Sequence, residues 1–223
     1  PENPRVVEEK RFRTTWEREG WYPILSWGTS AGFIGIKAVP GEYIVRLETD
    51  GKVIEQTLHL EKDPHSKGSL ENIKEQFELH SKVQEDLEIT TGIINEIEWM
   101  KNQVINLKEM KQTDDIINQS DHFLEKLQAI EDKLLQPTIT EGDSKSFRFA
   151  QKLYFKYALL AADIAESVDF APSRQQYDVY ETLHERLTAC TSQYESFIEN
   201  ELKLFNDYLD RLGIKTGILI VKD

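Results

Sequence analysis

Cysteine is almost missing from this chain: Cys190 is the one copy in 223 residues. No disulfide can therefore form within it, and a thiol inside an apolar helical pattern reads as a small buried hydrophobe. Long apolar runs are missing as well, none approaching the roughly 18 residues that a membrane-spanning helix needs. Basic charge is in deficit, with 27 Lys and Arg against 40 Asp and Glu, a net of −13. The deficit is uneven. Residues 1–62 carry 9 basic and 10 acidic side chains, and residues 63–223 carry 18 and 30. An acidic region of this kind repels phosphate backbones and anionic lipid, so neither nucleic acid nor a membrane is an expected partner. Mixed composition, 39% hydrophobic and 30% charged, describes a chain able to form a core. It opens on Pro1 without a methionine, which reads as an excised or processed piece.

Glycine, proline and tryptophan are sparse after residue 62, because six of eleven glycines, four of seven prolines and three of four tryptophans precede it. That is β and turn composition. Phe12–Trp16 reads as one strand and Trp21–Trp27 as another, interrupted at Pro23, with a glycine-rich loop over Gly28–Gly35. Val39-Pro40-Gly41-Glu42 has the residues of a type II turn. Tyr43, Val45 and Leu47 then alternate, Asp50-Gly51 supplies a tight turn, and Val53 to Leu60 returns as the second arm of a hairpin.

Lys62 to Gly68 marks a boundary, and helices follow. Ser69 is an N-cap for a helix to about Met110, with Leu70, Ile73, Phe77, Val83, Leu87, Ile94, Ile97 and Val104 inward and Gly92 at a close helix contact. Ile116 to Leu134 forms a second helix ending near Pro137. A third spans about Ser146 to Val168, with Phe149, Leu153, Tyr157, Leu160 and Ile164 inward. The fourth runs from Ser173, whose partner Gln176 completes a capping box, to Leu212, with Gly213 as its stop. Its stripe of Tyr180, Leu183, Leu187, Cys190, Tyr194, Phe197, Leu204 and Tyr208 is broken only by Glu201. A second stripe, Ile198, Leu202, Phe205, Leu209 and Leu212, predicts burial of a wide face. The tail from Ile214 is apolar and is expected to be extended and packed back.

The predicted fold class is α+β. It comprises a small, incomplete Ig-like antiparallel β unit over 1–62, a linker over 63–68, an antiparallel up-down four-helix bundle over 69–213, and the tail 214–223.

Val39-Pro40-Gly41-Glu42-Tyr43-Ile44-Val45-Arg46-Leu47, Asp50-Gly51-Lys52 and Lys62-Asp63-Pro64 together resemble a C-terminal region of bacterial sortilin-like β-propeller proteins built from neuraminidase-type repeats. Ala171-Pro172-Ser173-Arg174-Gln175-Gln176-Tyr177, with Phe205-Asn206 and Leu209 to Gly213, resembles that region's closing helix. The resemblance spans the chain from Phe12, although Ile214-Lys215-Thr216-Gly217 replaces the proline-rich ending of the pattern. It implies an upstream propeller, secretion or an envelope location, and any glycosidase chemistry lodged in the propeller.

Residues for chemistry are dispersed. His59, His65, His80, His122 and His184 include no pair at ligand spacing, and Asp63 with His65 is the best local combination. Glu195 with Glu199, and Asp163 with Glu166, fall at helix-surface spacing and read as solvated faces rather than a glycosidase pair. No nucleophile elbow or phosphate-cradling glycine loop is present. The predicted function is therefore non-catalytic, with no cofactor and no metal: a structural and interaction module that holds an upstream propeller or a protein partner. Trp16, Trp21, Tyr22, Trp27 and Phe33 are the candidate surface for a partner or a glycan. Carbohydrate binding through them is one alternative, and completion of an upstream active site by the Gly28–Gly35 loop is another. A leftover apolar stripe on the bundle would also allow a homodimer.

Overall fold

The computed structural model describes residues 25–26, 29–30, 36–111, 113–136, 149–215 and 217–220. Its architecture is α+β: a two-stranded antiparallel hairpin followed by four packed helices. A short pair, β1 (Leu25–Ser26) and β2 (Thr29–Ser30), comes first, so Thr29–Ser30 are paired where a loop was expected. The hairpin is β3 (Gly41–Thr49) and β4 (Lys52–Leu60). The Ig-like unit expected over 1–62 is represented among the described residues by these two pairs, not by two packed sheets. The strand expected at Phe12–Trp16 lies outside the described residues.

Helix α1 (Leu70–Met110) begins at a capping box. The Asn72 amide N–H donates to Ser69 Oγ at 3.1 Å, and the Ser69 N–H donates back to Asn72 Oδ1 at 3.3 Å. Its 41 residues extend about 60 Å. In its first turns Ile73, Gln76, Leu79 and His80 are buried, whereas Leu70 and Phe77, expected inward, are exposed. Gly92 faces open space rather than a close helix contact.

Helix α2 (Asp114–Leu134) is half as long, and α3 (Leu153–Glu166) is shorter than the predicted Ser146–Val168. Phe149 is accordingly exposed, because the chain there is not yet helical. Cross-links between side chains fix the directions. Lys108 bonds Asp121 and Lys101 bonds Glu131, so α2 runs against α1. Tyr157 bonds Asp86 and Gln76 reaches the Phe170 carbonyl, so α3 also runs against α1. Two short helices thus lie end to end along one long one. The expected up-down-up-down order becomes up-down-down-up, because 21 residues of α2 cover only half of α1.

Helix α4 (Arg174–Ser196) returns parallel to α1 from a second capping box, in which Ser173 N–H donates to Gln176 Oε1 at 2.7 Å. A π-helical turn over Phe197–Leu202 joins it to α5 (Lys203–Arg211). The π turn inserts one residue into the helical repeat. Burial therefore passes from Leu183, Leu187, Cys190, Tyr194 and Phe197 to Leu202, Phe205 and Leu209. Leu204 and Leu212 are left exposed, so the wide buried face expected here is a narrow one that changes stripe. Gly213, at φ 74°, closes α5 in a Schellman motif: its N–H donates to the Asp210 carbonyl and that of Ile214 to Leu209.

The core fills the space between these rods. Leu127, Leu134, Ile94, Ile97, Ile164 and Leu209 are almost fully enclosed, each contributing on the order of 1.5–3 kcal/mol of burial. Phe123 packs against Phe197 and Phe205 with ring centroids 5.0 and 4.6 Å apart, bridging the π turn. The tail packs back through two side-chain amides. Asn206 bonds the N–H and carbonyl of Ile218, and Gln103 those of Leu219, while Ile218 is buried.

Candidate interaction surface

Asp50 and Gly51 both take positive φ, 47° and 73°, which makes the hairpin connection a two-residue type I′ turn. That turn fixes the register Thr49 opposite Lys52, and with it every pair down to Gly41 opposite Leu60. One face therefore carries Tyr43 opposite Leu58, Val45 opposite Gln56 and Leu47 opposite Ile54. The other carries Glu42 opposite His59, Ile44 opposite Thr57, Arg46 opposite Glu55 and Glu48 opposite Val53. Polar pairs lace the second face: Arg46 forms ion pairs with Glu48 at 2.6 Å and Glu55 at 3.9 Å, and His59 Nδ1 lies 3.5 Å from Glu42 Oε2. The polar face suits water. The apolar face is exposed all the same, Leu47 by 58% and Ile54 by 60%.

Both legs of the hairpin land on the turn between α3 and α4. Ahead of β3, Lys37 Nζ donates to the carbonyl of Ala165, one of the last-turn carbonyls that α3 leaves without a helical partner. Behind β4, Gly68 is buried against the backbone of Asp169. Lys62 Nζ also donates to the Ser66 carbonyl at 2.7 Å, stiffening the exit. The neighbouring His80 is enclosed with its Nε2 unpartnered, and burial and then Lys37 hold its pKa below the usual imidazole range.

Trp16, Trp21, Tyr22, Trp27 and Phe33 lie outside the described residues, as does most of the Gly28–Gly35 loop. Asp63 and His65 are adjacent only in a local turn, where the His65 N–H donates to Asp63 Oδ1 at 2.8 Å. Among the described residues no group of three or more His, Cys, Asp or Glu is placed to hold a metal. The acids of the pairs Glu195 with Glu199 and Asp163 with Glu166 are exposed. No helix among the described residues is long and apolar enough to cross a membrane.

Two buried polar networks escaped the sequence reading because their members come from different helices. In the first, Asp86 Oδ2 accepts from Tyr157 Oη at 2.9 Å and meets His184 Nδ1 at 2.8 Å. Asp86 is enclosed, while His184 is half-exposed and stacks on Tyr180. Burial, followed by the Asp86 hydrogen bond, raises the Tyr157 phenol far above its ordinary pKa, so it stays a donor. The network clasps α1, α3 and α4 together.

In the second, Lys101 Nζ donates to Glu98 Oε1 at 2.9 Å and to Glu131 Oε2 at 2.6 Å, and Gln128 adds a bond to Glu131 at 3.0 Å. Burial, then hydrogen bonding with Glu98, pushes Glu131 up to about 8. Burial alone would lower Lys101, but Glu131 and Glu98 outweigh it and raise the ammonium's pKa. Two carboxyls facing one ammonium balance at neutral pH when the acid pair keeps one proton, and that proton belongs to the pair. Both acids are committed to Lys101, which makes the group a buried cross-link between α1 and α2.

No family model, curated protein or solved structure matches the chain.

Proposed function

We propose that the chain is a non-catalytic structural and interaction module, in which four packed helices present a β-hairpin to a protein surface. The exposed face of Tyr43, Val45, Leu47, Ile54, Leu58 and Leu60 carries this reading. An amphipathic hairpin keeps its apolar side chains at register positions 2 residues apart in order to bury them against a second layer. Burying one Leu or Ile here is worth on the order of 1.5–3 kcal/mol, which favours an occupied face. The net charge of −13 opposes an anionic membrane as occupant and leaves an apolar protein surface. On the resemblance of the Val39–Leu47 and Lys62–Pro64 motifs, that surface is β structure of a secreted or envelope propeller protein, encoded upstream and completing an Ig-like unit.

The test replaces Leu47 with the photo-crosslinker benzoylphenylalanine in the full-length protein in its own cells. Adducts mapping to upstream residues of the same polypeptide, or to one stoichiometric protein, and lost on adding Ile54→Asp, bear the reading out. Adducts to residues 10–35 of this chain would mean that the hairpin's cover is internal, and would overturn the docking role. No adduct, or adducts to lipid, would overturn it too.

A further inference from the structure

In this acidic molecule the charged side chains lining one cleft, among the described residues, are all cations. It lies at the junction where α2 ends and α3 begins, against α4, and has a volume of about 470 Å³. Lys133, Lys152, Lys156 and Arg186 line it together with Gln151 and Gln193, no acidic side chain among the described residues does, and buried Cys190 lines it too. The Lys133 ammonium donates to Gln193 Oε1. No ion pair joins Lys152, Lys156 or Arg186 to an acid among the described residues, in a chain where acids outnumber bases by 40 to 27.

The placement is electrostatically unfavourable for the protein alone. Lys152 is the N-cap of α3, which has no side-chain cap and no acid in its first turn. Helix N-termini carry partial positive charge and favour Asp, Glu and anions, so a lysine there is opposed by the dipole. Lys156 follows four residues on, in the first turn of α3, and adds a second cation at the same helix end. Lys133 is explained by the C-terminus of α2, whose dipole favours a cation. Lys152, Lys156 and Arg186 have no such account within the fold. An anion seated between them would remove the repulsion, take the planar fork of Arg186 and meet the first-turn amides of α3.

We propose that this cleft binds a small phosphorylated ligand, a phosphomonoester or diphosphate, whose oxygens are held by Lys152, Lys156 and Arg186. The volume falls in the range of small-molecule sites and is too small for a folded partner. This site is independent of the hairpin face and of the role proposed for it.

The experiment titrates the full chain with inorganic pyrophosphate, following heat and ³¹P line width, beside a citrate titration at equal ionic strength. Saturable one-to-one pyrophosphate binding is expected, weakened at least tenfold in Lys152→Gln/Lys156→Gln and unchanged within twofold in Lys82→Gln, which replaces an exposed lysine of α1 away from the cleft. Without ligand, the double variant is expected to unfold about 1–2 °C above the unaltered chain, because two cations are removed from the helix end whose dipole opposes them. A lower midpoint would mean that the lysines serve the fold and would overturn the proposal. So would non-saturable binding, equal loss in Lys82→Gln, or citrate binding as tightly as pyrophosphate.

Discussion

A side chain on Gly68 would place its Cβ 1.9 Å from the backbone oxygen of Asp169, closer than any non-bonded contact allows. The obstacle is backbone, so it cannot swing aside as a flexible side chain would. Through this contact the strand leaving the hairpin sits on the turn between α3 and α4. Gly68→Ala is expected to cost about 1–3 kcal/mol in urea unfolding. A loss below about 0.5 kcal/mol, the range of an ordinary surface substitution, would show that the linker is not seated there.

Asp86 and His184 share a hydrogen bond but not its cost. Removing Asp86 leaves the Tyr157 hydroxyl enclosed with no acceptor, whereas removing His184 leaves Asp86 with Tyr157 still donating to it. Asp86→Ala is expected to destabilise by about 2–4 kcal/mol. His184→Ala is expected to cost about 1 kcal/mol or less, since that imidazole is half in water. Equal losses in the two variants would contradict this ranking.

Glu131 links stability to pH with a definite sign. Its folded pKa of about 8 lies above the ordinary carboxyl value of 4.5, so the folded state holds the extra proton between those limits. Stability from this group is therefore present below about pH 4.5 and is lost as pH rises towards 8. Glu131→Gln mimics the protonated acid and removes the loss. Urea midpoints at pH 5.5, 7 and 8.5 should show the variant gaining steadily on the unaltered chain. His80 acts in the opposite sense below about pH 6.5, where its lowered pKa makes the unfolded state the better proton acceptor. It is present in both proteins, so the difference between them isolates the Glu98–Glu131 pair.

The π turn makes an unusual deletion tolerable. Removing Asn200, an exposed residue within Phe197–Leu202, would let Leu202 follow Phe197 by four residues in plain α geometry. Leu202, Phe205 and Leu209 would then continue the stripe that ends at Phe197. Deletion of Asn200 is expected to lower stability by no more than about 2 kcal/mol, whereas deletion of Ser192 rotates a buried face and should abolish cooperative unfolding. Circular dichroism melts of the two variants decide it.

Helix ends were legible because their determinants are local. Ser69, Ser173 and Gly213 act on backbone groups within a few residues, and each does what its neighbours predict. The hairpin was legible for the same reason, since Asp50-Gly51 sets its register unaided. The start of α3 was not. Phe149 keeps helical spacing with Leu153, yet the helix begins only at Leu153. Nor was the turn of phase at Glu201. Two stripes one residue out of step read equally well as a wide face or as a helix that switches stripe, and packing of Phe123 against Phe197 and Phe205 selects the second.

The polar groupings were hidden by distance along the chain. Lys101 and Glu131 are 30 residues apart, Asp86 and His184 98, and each looks like an ordinary helix-surface charge until its partner is opposite. The basic cleft was hidden likewise, since Lys133, Lys152 and Arg186 meet only because α2 and α3 lie end to end against α4.

By itself, the order of residues determined four helical segments, the caps at Ser69, Ser173 and Gly213, a tight-turned hairpin with one apolar face and an acidic composition, because these follow from hydrogen bonds and side-chain periods within a few residues. Tertiary structure alone decided the up-down-down-up path, the one-residue phase change in the last long helix, and which distant charges share a site. Those depend on which rods pack together, and a 41-residue helix accepts two shorter ones end to end because nothing less would cover its apolar length.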